Sequence, residues 1–228
     1  MSYPILFTGD MVKAILADRK TQTRPIIKPQ PIDNTEIDGN FFEGTHKGYV
    51  KVDGHSNWQE QFSFEFCKYG KVGDILWVKE TFQYVDFAGE DNGYVYRATD
   101  PDWETMEEWT WKPSIFMPKK ACRLFLEITD IRVERLKDIS IDDACEEGIE
   151  YCNVDTEAFE GGELIADYKN YMWKDDENYE DYYFPYYADP LNSFKSLWQS
   201  INGKESWNEN TWVWVISFKR TECPKGFI

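Results

Sequence analysis

Histidine is almost missing from this chain: His46 and His55 are the only two in 228 residues. A histidine-built metal site is therefore poorly supplied. The cysteines (Cys67, Cys122, Cys145, Cys152 and Cys223) are odd in number and lack C-x-x-C spacing. That argues against a disulfide framework and a zinc cluster, and fits free thiols in a reducing compartment. No glycine-rich loop is present to cradle a phosphate, so neither cofactor nor metal is expected. Long apolar runs are missing too: none approaches the roughly 20 residues that span a bilayer. Met1 to Phe7 has no basic start and no small-residue cleavage site, so the sequence predicts a cytoplasmic protein with no membrane partner. Positive charge is scarce, with 25 Lys and Arg against 42 Asp and Glu and a formal net charge of −17. Bulk binding of duplex DNA is disfavoured, and a nucleic-acid site would have to be a local basic pocket in an acidic shell.

What the chain does have is apolar and aromatic material, 42% and 17% of its residues. This is enough for one elaborated domain with a sizeable core. Pro4 to Phe7 reads as a short strand, and Thr8 can cap a helix with Met11, Val12, Ile15 and Leu16 on one stripe. Arg19 and Lys20 close that helix, where cations suit the dipole. Thr21 to Ile27 reads as a strand, and Pro25 marks it as an edge. Residues 28–70 are polar and without period, and are read as a first insertion.

Order resumes in Val72 to Glu80, a turn feeding a strand, with a second strand at Gly93 to Arg97 that could pair with it. Cys122 to Thr129 and Ile131 to Leu136 read as two further strands. Ser140 with Asp143 forms a helix cap and Gly148 a stop. Glu146 and Glu147 then sit in the last turn, against the local dipole. Residues 151–189 are acidic and tyrosine-rich, a second insertion. Asp189-Pro190 opens a helix with Leu191, Phe194, Leu197, Trp198 and Ile201 on one face, ended at Asn202-Gly203. Thr211 to Lys219 is the closing strand. The composite is an α+β chain, a small β-barrel with flanking helices, its first and last strands natural partners for closure.

The densest polar cluster is Arg19-Lys20-Thr21-Gln22-Thr23-Arg24. A lysine of lowered pKa can take the proton of a threonine hydroxyl and make it nucleophilic. Spacing alone equally allows a basic helix end followed by an ordinary threonine-rich strand. Lys20 and Thr23 would face opposite sides of an extended strand, and converge only if Lys20 lies in the turn. Arg24 suits a carboxylate, a base edge or a phosphate, or an acidic neighbour. Glu80 suits an ion pair with Lys79 or Arg97. Trp77 and Trp111 suit base stacking or the core.

Four blocks resemble, in order, the long ASCH-domain proteins common in bacteriophage genomes, members of the PUA-like group. These are Arg19 to Arg24; Gly73-Asp74-Ile75-Leu76-Trp77-Val78-Lys79-Glu80-Thr81; Lys112-Pro113-Ser114-Ile115 with Met117-Pro118; and Trp212-Val213-Trp214-Val215. Asp18 stands where that family has a glycine, Phe116 where it has a histidine, and Lys120 where a tryptophan is usual.

The resemblance implies a single PUA-like domain over 1–228, interrupted by the two insertions, in a bacterium or a bacteriophage-infected cell. A small relative in the family is an amidohydrolase acting on cytidine acetylated at its exocyclic nitrogen. Its lysine, threonine and glutamate would fall on Lys20, Thr23 and Glu147, with Glu146 the alternative for the last. Arg19, Arg24, Trp77, Glu80 and Ser114 would then be substrate-binding candidates. Hydrolysis of an acylated nucleoside or nucleobase is the first expectation. A module that binds single-stranded RNA or a modified base without catalysis is the second. The third is an acidic bacteriophage factor or nucleic-acid mimic meeting a protein partner through Tyr179 to Tyr187 and the carboxylates around them.

Overall fold

The computed structural model describes residues 1–28, 30, 32–33, 42–43, 67–86, 93–100, 110–151, 168–172, 186–187 and 189–227. Most of both expected insertions lies outside those residues, and of the expected Tyr179 to Tyr187 partner stretch only Tyr186 and Tyr187 lie within them. Ser2–Leu6 (β1) leads into Gly9–Leu16 (α1), whose first turn is held by the Thr8 hydroxyl accepting from the Met11 amide. α1 buries Val12, Ala14 and Ile15; of the expected stripe Val12 and Ile15 are in the core, Met11 is half-buried and Leu16 is exposed.

The end of α1 decides where the polar cluster goes. The Asp18 amide donates to Ile15 O at 3.0 Å and the Arg19 amide to Ala14 O at 2.9 Å, a Schellman closure. Asp18 occupies its left-handed position, at φ 55°. The turn that a glycine would form most easily is thus made with an aspartate, which pairs at the surface with Arg220. Lys20 also donates its amide to Ala14 O, so it belongs to the turn and not to the strand that follows.

After Gln22–Thr23 (β2) come the short pair Ile32–Asp33 (β3) and Phe42–Glu43 (β4), then Ile75–Lys79 (β5) and the hairpin Phe82–Val85 (β6) with Gly93–Tyr96 (β7). The long strand Phe125–Arg135 (β8) is followed by Ile141–Glu146 (α2) and a second short pair, Tyr168–Lys169 (β9) with Tyr186–Tyr187 (β10). Pro190–Asn202 (α3) and Trp212–Thr221 (β11) complete the described chain. The main sheet has five strands in the order β1-β5-β8-β11-β2. β1 runs parallel to β5, and the other neighbours are antiparallel. β2 is an edge in this order, as Pro25 predicts.

The structure revises three strand expectations. β7 pairs with β6, a strand the sequence reading passed over, instead of with β5. The first strand pairs with β5, whereas the last pairs with β8 and β2. The two strands expected over residues 122–136 are one, β8, whose alternation changes phase at a bulge where Ser217 faces Asp130 but Phe218 faces Ile128.

The bulge sorts the core. On one face Leu126, Ile128 and Ile131 of β8 meet Trp214, Ile216 and Phe218 of β11, together with Phe7 and α1. On the other, Val213 and Val215 meet Phe194, Leu197 and Trp198 of α3 and Ala144 of α2. Among the described residues no helix is long and apolar enough to cross a membrane.

Candidate functional site

Helix α2 is six residues long, with Ser140 accepting from the Asp143 amide at its start and Glu147 as its C-cap. Gly148 follows at φ +83°, and a Cβ there would lie 2.6 Å from Lys20 Cβ and 2.9 Å from Ala14 Cβ. A side chain at this position therefore collides with the α1 turn as well as straining the backbone. The close approach lets Lys20 and Glu147 pair as a backbone bridge, and the Thr21 amide donates to Glu146 O at 2.9 Å. Two distant stretches of chain are locked at this one point.

The side chains meet there. Lys20 Nζ donates to Glu147 Oε2 at 2.6 Å and to Glu147 O at 2.9 Å. Arg24 Nη1 donates to Glu147 Oε1 at 3.0 Å, and Arg24 Nη2 lies 3.2 Å from Asp143 Oδ2. Lys20, Arg24 and Glu147 have side-chain exposures of 0%, 1% and 3%. Charges so fully removed from water persist only when paired, because desolvation costs several kcal/mol per ion in round terms. The glutamate that opposes the dipole of α2 is held by two buried cations. Glu147, and not Glu146, is the carboxylate that touches Lys20; Glu146 accepts from Gln22 Nε2 at 3.0 Å.

The network extends outward. Arg132 Nη2 donates to Asp143 Oδ1 at 2.7 Å, and Arg132 Nε donates to Glu134 Oε1. Burial pushes the Asp143 carboxyl up, but hydrogen bonds from Arg132, Ser140 and Gln22 and the charge of Arg24 outweigh it and hold the group well below the carboxylate range. For Lys20 burial dominates: it lowers the ammonium pKa from its ordinary value, against the attraction and hydrogen bond of Glu147. A lysine shifted this way is easier to deprotonate, the property a general base requires.

Thr23 is also buried, at 6% exposure, and pairs across the ladder with Ile216. Directly opposed residues share a face, so Thr23 lies on the side of the sheet that carries Ile216, Phe218 and Phe7. Lys20 Nζ is 5.7 Å from the centroid of Phe7. Lys20 and Thr23 thus adjoin the same apolar cluster, although the ammonium bonds Glu147 and not the hydroxyl.

The remaining candidates divide. Arg19 Nη1 donates to Gly148 O at 3.0 Å and Ile149 O at 3.1 Å, fastening the turn after α2. Trp77 is buried against Phe125 and Phe227, in the core. Glu80 is buried and receives Arg123 Nε and Nη2 at 2.9 Å each; Arg123 is a partner the sequence reading did not name. Ser114 opens a short helical turn, Ser114–Phe116. Asp143, Arg132 and Glu134, which the sequence motifs do not single out for the site, belong to this network, Asp143 in addition to its place in the helix cap. Their signal was the charged alternation Asp130, Arg132, Glu134 along a strand whose partner is apolar.

No family model, curated protein or solved structure matches this chain.

Proposed function

We propose that the chain is an ASCH-type, PUA-like barrel protein that hydrolyses an acylated nucleoside or nucleobase at the corner made by Lys20, Thr23 and Glu147. The observation that carries this reading is the buried Lys20 ammonium, lowered in pKa and held on Glu147 at 2.6 Å. In the reaction the Thr23 hydroxyl oxygen bonds to the acyl carbon while its proton passes to neutral Lys20. The carbon–nitrogen bond then breaks, and Lys20 returns the proton to the departing amine. Water attacks the resulting threonine ester, giving up one proton to Glu147 or Lys20; the hydroxyl of Thr23 is regenerated and the carboxylic acid leaves. Arg24 holds the second oxygen of Glu147 and so fixes the carboxylate's orientation.

The test is turnover of N4-acetylcytidine and related acylated nucleosides by wild type, Lys20→Met and Thr23→Val, with circular dichroism to check folding. Loss of turnover in both folded variants is expected; full turnover in either ends the proposal.

A second reading rests on its own observation: Lys20 has no exposed side-chain surface, and its charge is already met. On that reading the corner is an ionic clasp in a binding module for a modified base or single-stranded RNA. It expects binding of cytidine derivatives without turnover, unchanged in Thr23→Val.

A further inference from the structure

Residues 110–123, Thr-Trp-Lys-Pro-Ser-Ile-Phe-Met-Pro-Lys-Lys-Ala-Cys-Arg, contain Lys112, Lys119, Lys120 and Arg123 and not one carboxylate. In a chain of net charge −17 this is an island of opposite sign. The island is firmly built. Met117 and Ala121 are buried, Tyr96 Oη donates to Ala121 O at 2.6 Å, and Lys112 exchanges both backbone hydrogen bonds with Phe82. Lys79 Nζ donates to Ile115 O. Yet this anchored segment turns Ile115 and Phe116 to water, at 60% and 70% exposure. Glu80, the carboxylate beneath it, is taken by Arg123. Among the described residues Lys112, Lys119 and Lys120 have no carboxylate partner and are exposed.

Its position follows from strand register. Trp77 of β5 faces Phe125 at the start of β8, and Phe125 faces Thr221 at the end of β11. Lys20 and Thr21 precede β2 on that same end, since the Phe218 amide donates to Thr21 O. A short path joins the two places. Lys20 Nζ lies over Phe7, the Phe7 amide donates to Lys79 O, and Lys79 reaches Ile115. The cationic loop and the Lys20 corner therefore stand at one end of the sheet.

We infer that the ligand of this corner carries a phosphate, which the Lys112 to Arg123 loop receives while Phe116 offers a face for a base. The base identity rests on the nucleoside reading above; the phosphate does not. Long-range repulsion from the acidic shell makes such a local counter-field necessary for any phosphate to approach. A neutral nucleoside would need none.

The test compares cytidine with cytidine 5′-monophosphate by calorimetric titration at low salt, and the N4-acetylated forms of both for turnover. Wild type should favour the phosphorylated member by about tenfold or more, and Lys119→Glu/Lys120→Glu should bring that ratio near one while leaving affinity for the neutral nucleoside unchanged. A short single strand containing cytidine tells a mononucleotide site from a strand site: further gain with a steep salt dependence points to a strand, and no gain to the mononucleotide, either one supporting the phosphate contact. Preference for phosphate without turnover would sustain this inference and sink the hydrolase. Equal binding of the two ligands, no binding of either, or a preference indifferent to the double charge reversal would overturn it.

Discussion

Glu147 concentrates the polar energetics of the molecule in one side chain, because each of its oxygens answers a different buried cation. Removing one member of a buried ion group leaves uncompensated charge, a loss of about 3–5 kcal/mol. Glu147→Ala should lower the free energy of unfolding by that amount in urea titration; a change below about 1 kcal/mol would show the cations to be solvated after all. Asp143 carries a pH signature. Its folded pKa is depressed, so its contribution is complete above the unfolded value near 3.9 and is lost as pH falls through that value toward the folded one. Wild type should therefore lose more stability between neutral pH and about pH 2 than Asp143→Asn, measured as the shift in urea midpoint. Lys20 acts in the same sense at alkaline pH. Its folded pKa is lowered, so stability rises with pH between that value and about 10.4.

The elements that build the corner are legible to different degrees. The caps of α2 and α3, Ser140 and Asp189, hold the amides that their local sequence promises, since capping is settled within a few residues. The pairing of Lys20 with Glu147 spans 127 positions, and no local pattern carries it. The break expected in β8 has a physical origin as well: Thr129 and Asp130 are both exposed at the bulge, and two consecutive outward residues imitate a turn. The two positive-φ positions flanking the site give a paired prediction. Asp18→Gly should match or exceed wild-type stability, since glycine relieves a left-handed strain of about 1 kcal/mol and the lost partner, Arg220, is an exposed one. Gly148→Ala should destabilise markedly, because its Cβ would meet Lys20 Cβ at 2.6 Å. Thermal denaturation of both variants checks this, and an Asp18→Gly protein melting well below wild type would refute the strain.

At the scale of the whole molecule the balance is between an acidic exterior and a neutralised interior. The mean charge was plain from composition, and so was a β-rich core; the order of strands was not, because β1 meets β5 in parallel across about 70 intervening positions. A net charge of −17 repels itself, and salt shortens the range of that repulsion to about 8 Å at physiological strength. The melting temperature should rise as sodium chloride goes from about 0.02 M to about 0.2 M, since buried pairs such as Lys20 with Glu147 are screened far less. A falling temperature would mean that exposed ion pairs outweigh the repulsion.

The extra residue in β8 reaches further than its own kink. Downstream of it, Ile131 and Val133 point to the apolar side while Arg132 and Glu134 point at α2. Shorten the strand by that residue and the parity inverts: guanidinium and carboxylate would be driven among Trp214 and Ile216, and Arg24 would lose its outer counter-charges to an aliphatic surface. The ionic corner is thus a matter of odd and even counting along a single strand.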